Sequence, residues 1–277
     1  MNLNTITEVR RVSRDGDEDF DWREGDGWLA GGTWLFSEPQ PHLRRLVDLQ
    51  GLDREPLVAG EQGLQISPTC TIAQLDALEA PADWVAAPLI HQCCHAFLAS
   101  FKVWNTATVG GNICMSLPAG PMISLTVALE GVYTIRLRDG GERRVAADEF
   151  VTGNNQNVLQ AGDLLRSIEL PVSALQKRTC FRRMSLTHLG RSTALLIGTL
   201  SPQDGTFALT ISASTVRPAR LGFDEVPDAR SLRERLREAI ADDMYHDDVH
   251  GAPDYRKHLT FHFGEEIRRE LSGVRAA

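Results

Sequence analysis

The chain has no stretch approaching the roughly 18 consecutive apolar residues that would cross a bilayer, so a membrane span is excluded. Its opening, MNLNTITEVRR, carries no apolar core ahead of a small-residue cleavage site, and a cytoplasmic protein is expected. Positive charge is scarce: Lys+Arg number 29 against 37 Asp+Glu, a formal net charge of −8, which argues against a surface that tracks a phosphate backbone. Nucleic acid is therefore not an expected partner. Cysteine is sparse as well. The five (Cys70, Cys93, Cys94, Cys114 and Cys180) are odd in number and contain no C-x-x-C spacing, which excludes a disulfide framework and a cysteine cage for zinc or iron–sulfur. They are read as reduced thiols. There is no internal repeat and no low-complexity tract. With 277 residues, 42% of them hydrophobic, the chain can bury one large core or two to three smaller ones without staples.

What is present is punctuated by glycine. Gly31-Gly32 follows Trp28-Leu29-Ala30, a short apolar run that reads as a buried strand after the turn-rich lead Asp15-Gly16-Asp17-Glu18-Asp19. That acidic lead reads as a solvated loop. Leu46-Val47-Asp48-Leu49 and Leu64-Gln65-Ile66-Ser67 read as short strands, and Thr71 as the N-cap of a helix. Pro88 to Phe101 has helical spacing and leads to the second pair, Gly110-Gly111. Ile123 to Leu129 reads as helix, Tyr133 to Leu137 as an alternating strand, Asp139-Gly140-Gly141 as its hairpin turn, and Leu164 to Leu170 as another strand closed by Pro171. Beyond Pro171 the texture changes. Thr206 to Ala213 alternates like a strand with one wet face, while Ser231 to Ala241 and Arg256 to Leu271 read as amphipathic helices. The grouping favours an α+β fold with a boundary near Pro171.

Two glycine pairs, each flanked by threonine and each following a buried-looking segment, suit two loops that converge on one anionic ligand. Glycine lets backbone N–H groups approach phosphate oxygens closely, so a diphosphate-bearing cofactor fits; a pair of tight turns is the plainer alternative. Neither pair sits in a G-x-G-x-x-G fingerprint or a P-loop, so Rossmann and NTPase readings have no support. His246 and His250, like His258 and His262, are four apart. No H-E-x-x-H occurs, Gly251-Ala252-Pro253 would break a helix between the pairs, and surface histidines are the plainer reading, so no metal site is assigned. Cys93-Cys94-His95 lies in an apolar stretch where cysteine packs as a small core residue, and no catalytic residue is assigned.

The literal segments go further. Leu29-Ala30-Gly31-Gly32-Thr33 and Ala107-Thr108-Val109-Gly110-Gly111-Asn112-Ile113 resemble the two signature loops of the FAD-binding medium subunit of molybdenum hydroxylases, the family of carbon monoxide dehydrogenase and xanthine dehydrogenase flavoproteins. Asp148-Glu149-Phe150 and Gly162 through Pro171 look like that family's second-subdomain exit, Phe181-Arg182-Arg183 like its basic aromatic segment, Ser214 through Arg220 like a strand end of its C-terminal domain, and Asp254-Tyr255-Arg256-Lys257 like its last helix. The likeness runs in order over nearly the whole chain and is weakest before Trp28.

The resemblance implies a two-subdomain FAD-binding fold over residues 1–171, with subdomains of about 1–50 and 51–171, and a C-terminal flavoprotein domain of antiparallel sheet plus helices over 172–277. It implies FAD held by Leu29, Ala30, Gly31, Gly32, Thr33 and Trp34 of the first loop and by Thr108, Gly110, Gly111 and Asn112 of the second. Both loops would act mainly through backbone N–H groups. Leu165 would lie beside the flavin or adenine, and Arg182 or Arg183 near the flavin. The implied function is electron transfer, from iron–sulfur centres of a 2Fe–2S small subunit through FAD to an external acceptor, beside a molybdopterin-binding large subunit. Three positions depart from the family pattern. Trp34 stands where an acidic residue is common, Pro121 where an aspartate usually lies nine residues after the second-loop asparagine, and Leu186 where an arginine is usual. Proline can neither accept through its side chain nor donate from its backbone. Loss of these polar anchors leaves a competing expectation, a non-catalytic scaffold subunit of the same fold with weakened or lost FAD binding. A self-contained flavoprotein oxidase is disfavoured, since neither a large substrate domain nor a residue placed for covalent flavin attachment is evident.

Overall fold

The computed structural model describes residues 3–12, 21–52 and 55–273. Residues 13–20, which hold most of the acidic lead, lie outside the described residues. Three short strands, β1 (Glu8–Arg11), β2 (Asp26–Leu29) and β3 (Arg45–Asp48), form a parallel sheet in the order β1-β3-β2. Its core is small, built on Val12, Val47 and Leu49. A buried ion pair ties two of its strands: Arg45 donates from Nε to Asp26 Oδ1 at 2.7 Å and from Nη2 to Oδ2 at 2.5 Å. Burial pushes the Asp26 carboxyl up, but hydrogen bonds from the Arg45 guanidinium and the Arg23 amide outweigh it and leave the group below the usual carboxylate range.

The chain then builds the hairpin β4 (Leu57–Gly60) and β5 (Gly63–Ile66), and helices α1 (Ile72–Asp76), α2 (Ala87–Ala96), α3 (Phe101–Trp104), α4 (Val109–Met115) and α5 (Pro121–Ala128). Thr71 caps α1 as its sequence predicts, accepting from the Gln74 amide while the Gln74 side chain accepts from the Thr71 amide. Strands β6 (Val132–Arg136) and β7 (Glu142–Ala146) follow, joined by a turn over Leu137–Gly141, then α6 (Ala147–Phe150), the small hairpin β8 (Val151–Gly153) and β9 (Gln156–Asn157), and β10 (Leu164–Pro171). The second sheet is antiparallel in the order β4-β5-β10-β6-β7. After α7 (Val172–Leu175), strands β11 (Arg178–Met184), β12 (Ala194–Leu200), β13 (Phe207–Ser212) and β14 (Ala219–Phe223) make an antiparallel meander, followed by α8 (Ala229–Ala239) and α9 (Pro253–Leu271). The fold is α+β, as expected.

One expectation fails. Phe207 to Ser212 has no wet face, because every residue of β13 is buried. Along β12 alternate side chains enter different cores: Leu195 and Ile197 join the apolar cluster of the preceding helices and second sheet, whereas Ala194 and Leu196 join the cluster under α8 and α9. The polar positions of β13 face α5, which is buried along its entire length. Ser124 of that helix and Ser212 lie 2.6 Å apart, hydroxyl to hydroxyl, and Ser212 donates to the Leu195 carbonyl. The alternation of Thr and Ser thus reads as solvent exposure in sequence but is a dry, hydrogen-bonded layer between two halves of the molecule. Among the described residues, no helix is long and apolar enough to cross a membrane.

Candidate functional site: a cleft between two glycine loops and the C-terminal sheet

The strand β2 ends at Leu29, and the chain bends through Ala30 and Gly31 into a turn over Thr33–Ser37. That turn is closed by the Phe36 amide donating to the Gly32 carbonyl and the Ser37 amide to the Trp34 carbonyl. The amides of Gly31, Gly32, Thr33, Trp34 and Leu35 find no acceptor among the described residues. Five consecutive N–H groups are thus left to a ligand or to water, the arrangement that suits an anion.

The second loop lies against the first. A Cβ at Gly31 would stand 1.9 Å from the Thr106 carbonyl oxygen, so only glycine permits this approach. Gly32 adds a left-handed turn at φ 68°. At Gly110 a Cβ would meet Pro68 backbone and side chain at 2.6–2.8 Å, but at Gly111 it would meet only the Thr108 hydroxyl, at 2.9 Å. Here the structure departs from the expected row of free amides. Thr108 is the N-cap of α4, and the loop's donors are engaged internally. Val109 N–H goes to Cys70 O, Gly110 N–H to Pro68 O, Gly111 N–H to Thr108 Oγ1 at 3.0 Å, and Asn112 N–H to Thr108 O. What the second loop offers is a smooth glycine surface and the Asn112 carboxamide. Its Oδ1 accepts from the Met122 amide at 3.1 Å, at the start of α5, which leaves its Nδ2 donors for the cleft. Pro121, the first residue of α5, is buried.

Between the loops and the C-terminal sheet lies a cavity of about 890 Å³, near the upper end of the range for small-molecule and cofactor sites. The first-loop residues Ala30 to Leu35 line it, with Thr108, Gly110, Gly111 and Asn112 opposite and Leu165 of β10 in the wall. Leu29 is not in the lining; its side chain packs behind the loop, 3.0 Å from where a Gly32 Cβ would stand. Arg182 and Arg183 are also outside it. Arg182 is drawn to the surface of α9, donating to Glu266 at 2.9 Å and Glu270 at 2.6 Å. Arg183 bonds Ser192 Oγ and the Gly190 carbonyl, bracketing the neighbouring Arg191.

The positive groups at the cleft are Arg191 and Arg256, neither of which the sequence reading assigned. The Arg191 guanidinium sits 5.7 Å from the centre of the Trp34 ring, a cation–π contact that joins the first loop to the C-terminal half. Arg256, only 1% exposed, opens the last helix, donates to the carbonyls of Gly251, Thr193 and Ala213, and pairs with Asp248. It holds in place the segment that brings His246, Asp248 and His250 to the cavity. His246 is therefore not a surface histidine. Its side chain is 16% exposed, it lies 3.4 Å from Asp248, and burial holds its imidazole below the ordinary value despite the nearby carboxylates. The signal for Arg256 stood in the Asp254-Tyr255-Arg256-Lys257 segment and that for His246 only in its spacing of four from His250; no local pattern marks Arg191.

All five cysteines are free thiols. Burial pushes Cys70 and Cys114 up to about 12, so the thiolate a nucleophile needs is absent at neutral pH. The cleft thus presents a run of backbone donors on one wall, with Arg191 and Arg256 beside the carboxylates of Asp163, Asp247 and Asp248 in its lining.

Comparison with known proteins agrees with this picture. Residues 24–173 match the family model described as the FAD binding domain in molybdopterin dehydrogenase. Caffeine dehydrogenase subunit beta of Pseudomonas sp. (strain CBB1) is 31% identical over 91 residues, 33% of this chain and 31% of that protein. The carbon monoxide dehydrogenase medium chain of Hydrogenophaga pseudoflava is 25% identical over 148 residues, 53% of this chain and 51% of that one. The chain thus spans about a third to a half of the length of these relatives. In three dimensions it resembles a chain of carbon monoxide dehydrogenase from H. pseudoflava, with a TM-score of 0.76, 19% identity and coverage of 97% of this chain and 96% of that one. It likewise resembles one of quinoline 2-oxidoreductase from Pseudomonas putida 86, with a TM-score of 0.73, 19% identity and 98% coverage of both chains.

Proposed function

This chain belongs to the family of FAD binding domains in molybdopterin dehydrogenases, and on that premise we propose that it is the FAD-binding, electron-transferring subunit of a heteromeric molybdenum hydroxylase, an oxidoreductase component of the cytoplasm. It receives electrons from a 2Fe–2S small subunit and delivers them to an external acceptor, while a molybdopterin-binding large subunit transforms the substrate. On this reading residues 1–171 are the FAD-binding domain, with subdomains of about 1–50 and 51–171, and 172–277 the C-terminal flavoprotein domain.

The observation that carries the reading is the run of amides from Gly31 to Leu35 without acceptors among the described residues, in a loop that lines one cavity together with the glycines of the second loop. The residues present fit a dinucleotide. The first-loop amides would hold the diphosphate oxygens, Gly110 and Gly111 would let the diphosphate lie close to α4, and Asn112 Nδ2 would donate to it or to a neighbouring hydroxyl. Leu165 gives an apolar wall for a ring system. Arg191, over the Trp34 ring, is the cation placed beside the first-loop amides, whereas Arg256 is already paired with Asp248 and holds the segment that lines the cleft. When bound, FAD supplies the capacity to take electrons singly and release them singly or in pairs; the chain supplies position and electrostatics. Trp34, with Arg191 over its ring, screens one side of the cleft from water.

Reconstitution tests the assignment. Apo protein, titrated with FAD and followed by flavin fluorescence, is expected to bind one equivalent. Asn112→Ala is expected to weaken binding roughly tenfold, the effect of losing one hydrogen bond of about 1.5 kcal/mol. Unchanged affinity in that variant removes Asn112 from the site.

A further inference from the structure

Away from the cleft, on the outer face of α2, two histidines stand one helical turn apart. His91 and His95 share a face because of their spacing of four, and the ring centroids are 4.0 Å apart. Asp76, the last residue of α1, lies beneath them. Its position is fixed by burial of the neighbouring Leu75 and of Leu89, Ile90, Cys93 and Cys94 on the inner face of α2. Asp76 Oδ1 lies 2.8 Å from His91 Nδ1, and Oδ2 lies 3.6 Å from His95 Nε2.

Two features distinguish this cluster from an ordinary surface ion pair. First, Asp76 Oδ1 is sealed from solvent and receives no hydrogen bond, its short distance to His91 notwithstanding. A buried carboxylate oxygen without a donor is costly, and a cation between it and the rings would satisfy it. Second, one ligand atom from each residue lies within 4.8 Å of the other two, the one such grouping of three metal-ligating side chains among the described residues. Tetrahedral zinc, with Zn–N and Zn–O of about 2.0–2.2 Å, needs ligand atoms about 3.3–3.5 Å apart. The histidine side chains are 62% and 54% exposed, so ring rotation supplies the remaining contraction without moving the backbone.

We propose that Asp76, His91 and His95 form a binding site for a divalent transition-metal ion of the Zn²⁺ type, with water completing the coordination. Two imidazoles and a carboxylate, with no thiolate, are a donor set suited to Zn²⁺, Ni²⁺ or Cu²⁺ and not to Ca²⁺ or Mg²⁺. The site adjoins the cleft through a short relay. The His95 ring packs edge-on against Trp104 at 5.0 Å, and the Trp104 indole N–H donates to the Phe97 carbonyl. Phe97 and Val103 line the cleft. An ion bound here clamps the end of α2 to α1 beside the cleft wall and, by favouring the folded state, raises thermal stability.

The test uses the full, untagged, metal-stripped chain and Zn²⁺ alone, by isothermal titration. One equivalent is expected that is weakened at least tenfold by His91→Ala and by His95→Ala, and left intact by the double variant His258→Ala/His262→Ala, which has the same spacing without the buried carboxylate. Zn²⁺ should raise the melting temperature of wild type and not of His91→Ala. In a second readout, mapped by mass spectrometry, Zn²⁺ should protect His91 and His95 from carbethoxylation by diethyl pyrocarbonate. No saturable binding, an equivalent insensitive to His91 and His95, or half an equivalent with a doubled mass in sedimentation would each overturn a site built within one chain.

Discussion

Gly111 is the residue at which ligand binding and folding separate most cleanly. A Cβ there would stand 2.9 Å from one side-chain atom, the Thr108 hydroxyl, which must shift a little, whereas at Gly31 it would stand 1.9 Å from a backbone carbonyl oxygen. Gly111→Val is therefore expected to keep a wild-type circular dichroism spectrum and to bind no FAD, because the branched side chain stands on the surface where the diphosphate must lie. Retention of flavin by a folded variant would remove the second loop from the site. At Pro121 the geometry favours compensation. The proline is buried at the first position of α5, and Asn112 already accepts from the adjacent Met122 amide. Pro121→Asp is thus expected to give unchanged or weaker FAD binding; tighter binding would show that an anchor had been missing. Asp26 sets a pH dependence. Its folded value is depressed, so its contribution is fully present above the unfolded value of about 3.9 and is lost as pH falls through the lower folded value. Asp26→Ala removes the carboxylate that takes two hydrogen bonds from the buried Arg45 and is expected to cost about 3 kcal/mol, read by urea denaturation at neutral pH, with the difference from wild type shrinking toward acid.

At the scale of elements, α9 is seated on β12 through a glycine. A Cβ at Gly198 would lie 2.2 Å from Ile267 Cγ2 and 2.9 Å from Leu271 Cδ1. Gly198→Ala is expected to destabilise the chain by about 1–3 kcal/mol through overpacking, measured by chemical denaturation, and to speed amide exchange in α9 before other helices. The elements themselves were largely legible. Thr71 with Gln74, the Asp139-Gly140-Gly141 turn and the Pro171 stop are local chemistry, and each acts within a few residues of itself. What was not legible was anything decided across the chain. The Thr and Ser positions of β13 look wet until α5, some 90 residues earlier, is laid on them. The basic pair Arg182 and Arg183 looks like a ligand anchor until the α9 acids Glu266 and Glu270 claim the first of them. Arg191 and His246 reach the cleft only through the packing of the C-terminal half. The Asp76, His91 and His95 grouping joins two helices whose spacing alone shows only the histidines.

The whole molecule carries formal charge −8 and places its cleft where the N-terminal loops meet the C-terminal sheet. On the proposed function the chain must sit close to its electron donor, so a stable complex with iron–sulfur and molybdenum subunits is expected to bury well over about 1,000 Å². Affinity purification from the native source should return all three chains together, resistant to salt. Exposed apolar residues are available for such contacts, among them Phe101 at 74%, Leu189 at 77% and Val249 at 88% exposure. Recovery of this chain alone at every ionic strength would contradict the partnership. The most direct measurement is the flavin content of the chain co-expressed with the genes beside its own. A yellow complex releasing one FAD per copy of this chain on denaturation, and none when Gly111 is replaced by Val, is the expected result. A colourless, well-folded complex that neither contains nor takes up FAD would contradict the electron-transfer function and leave the chain a scaffold.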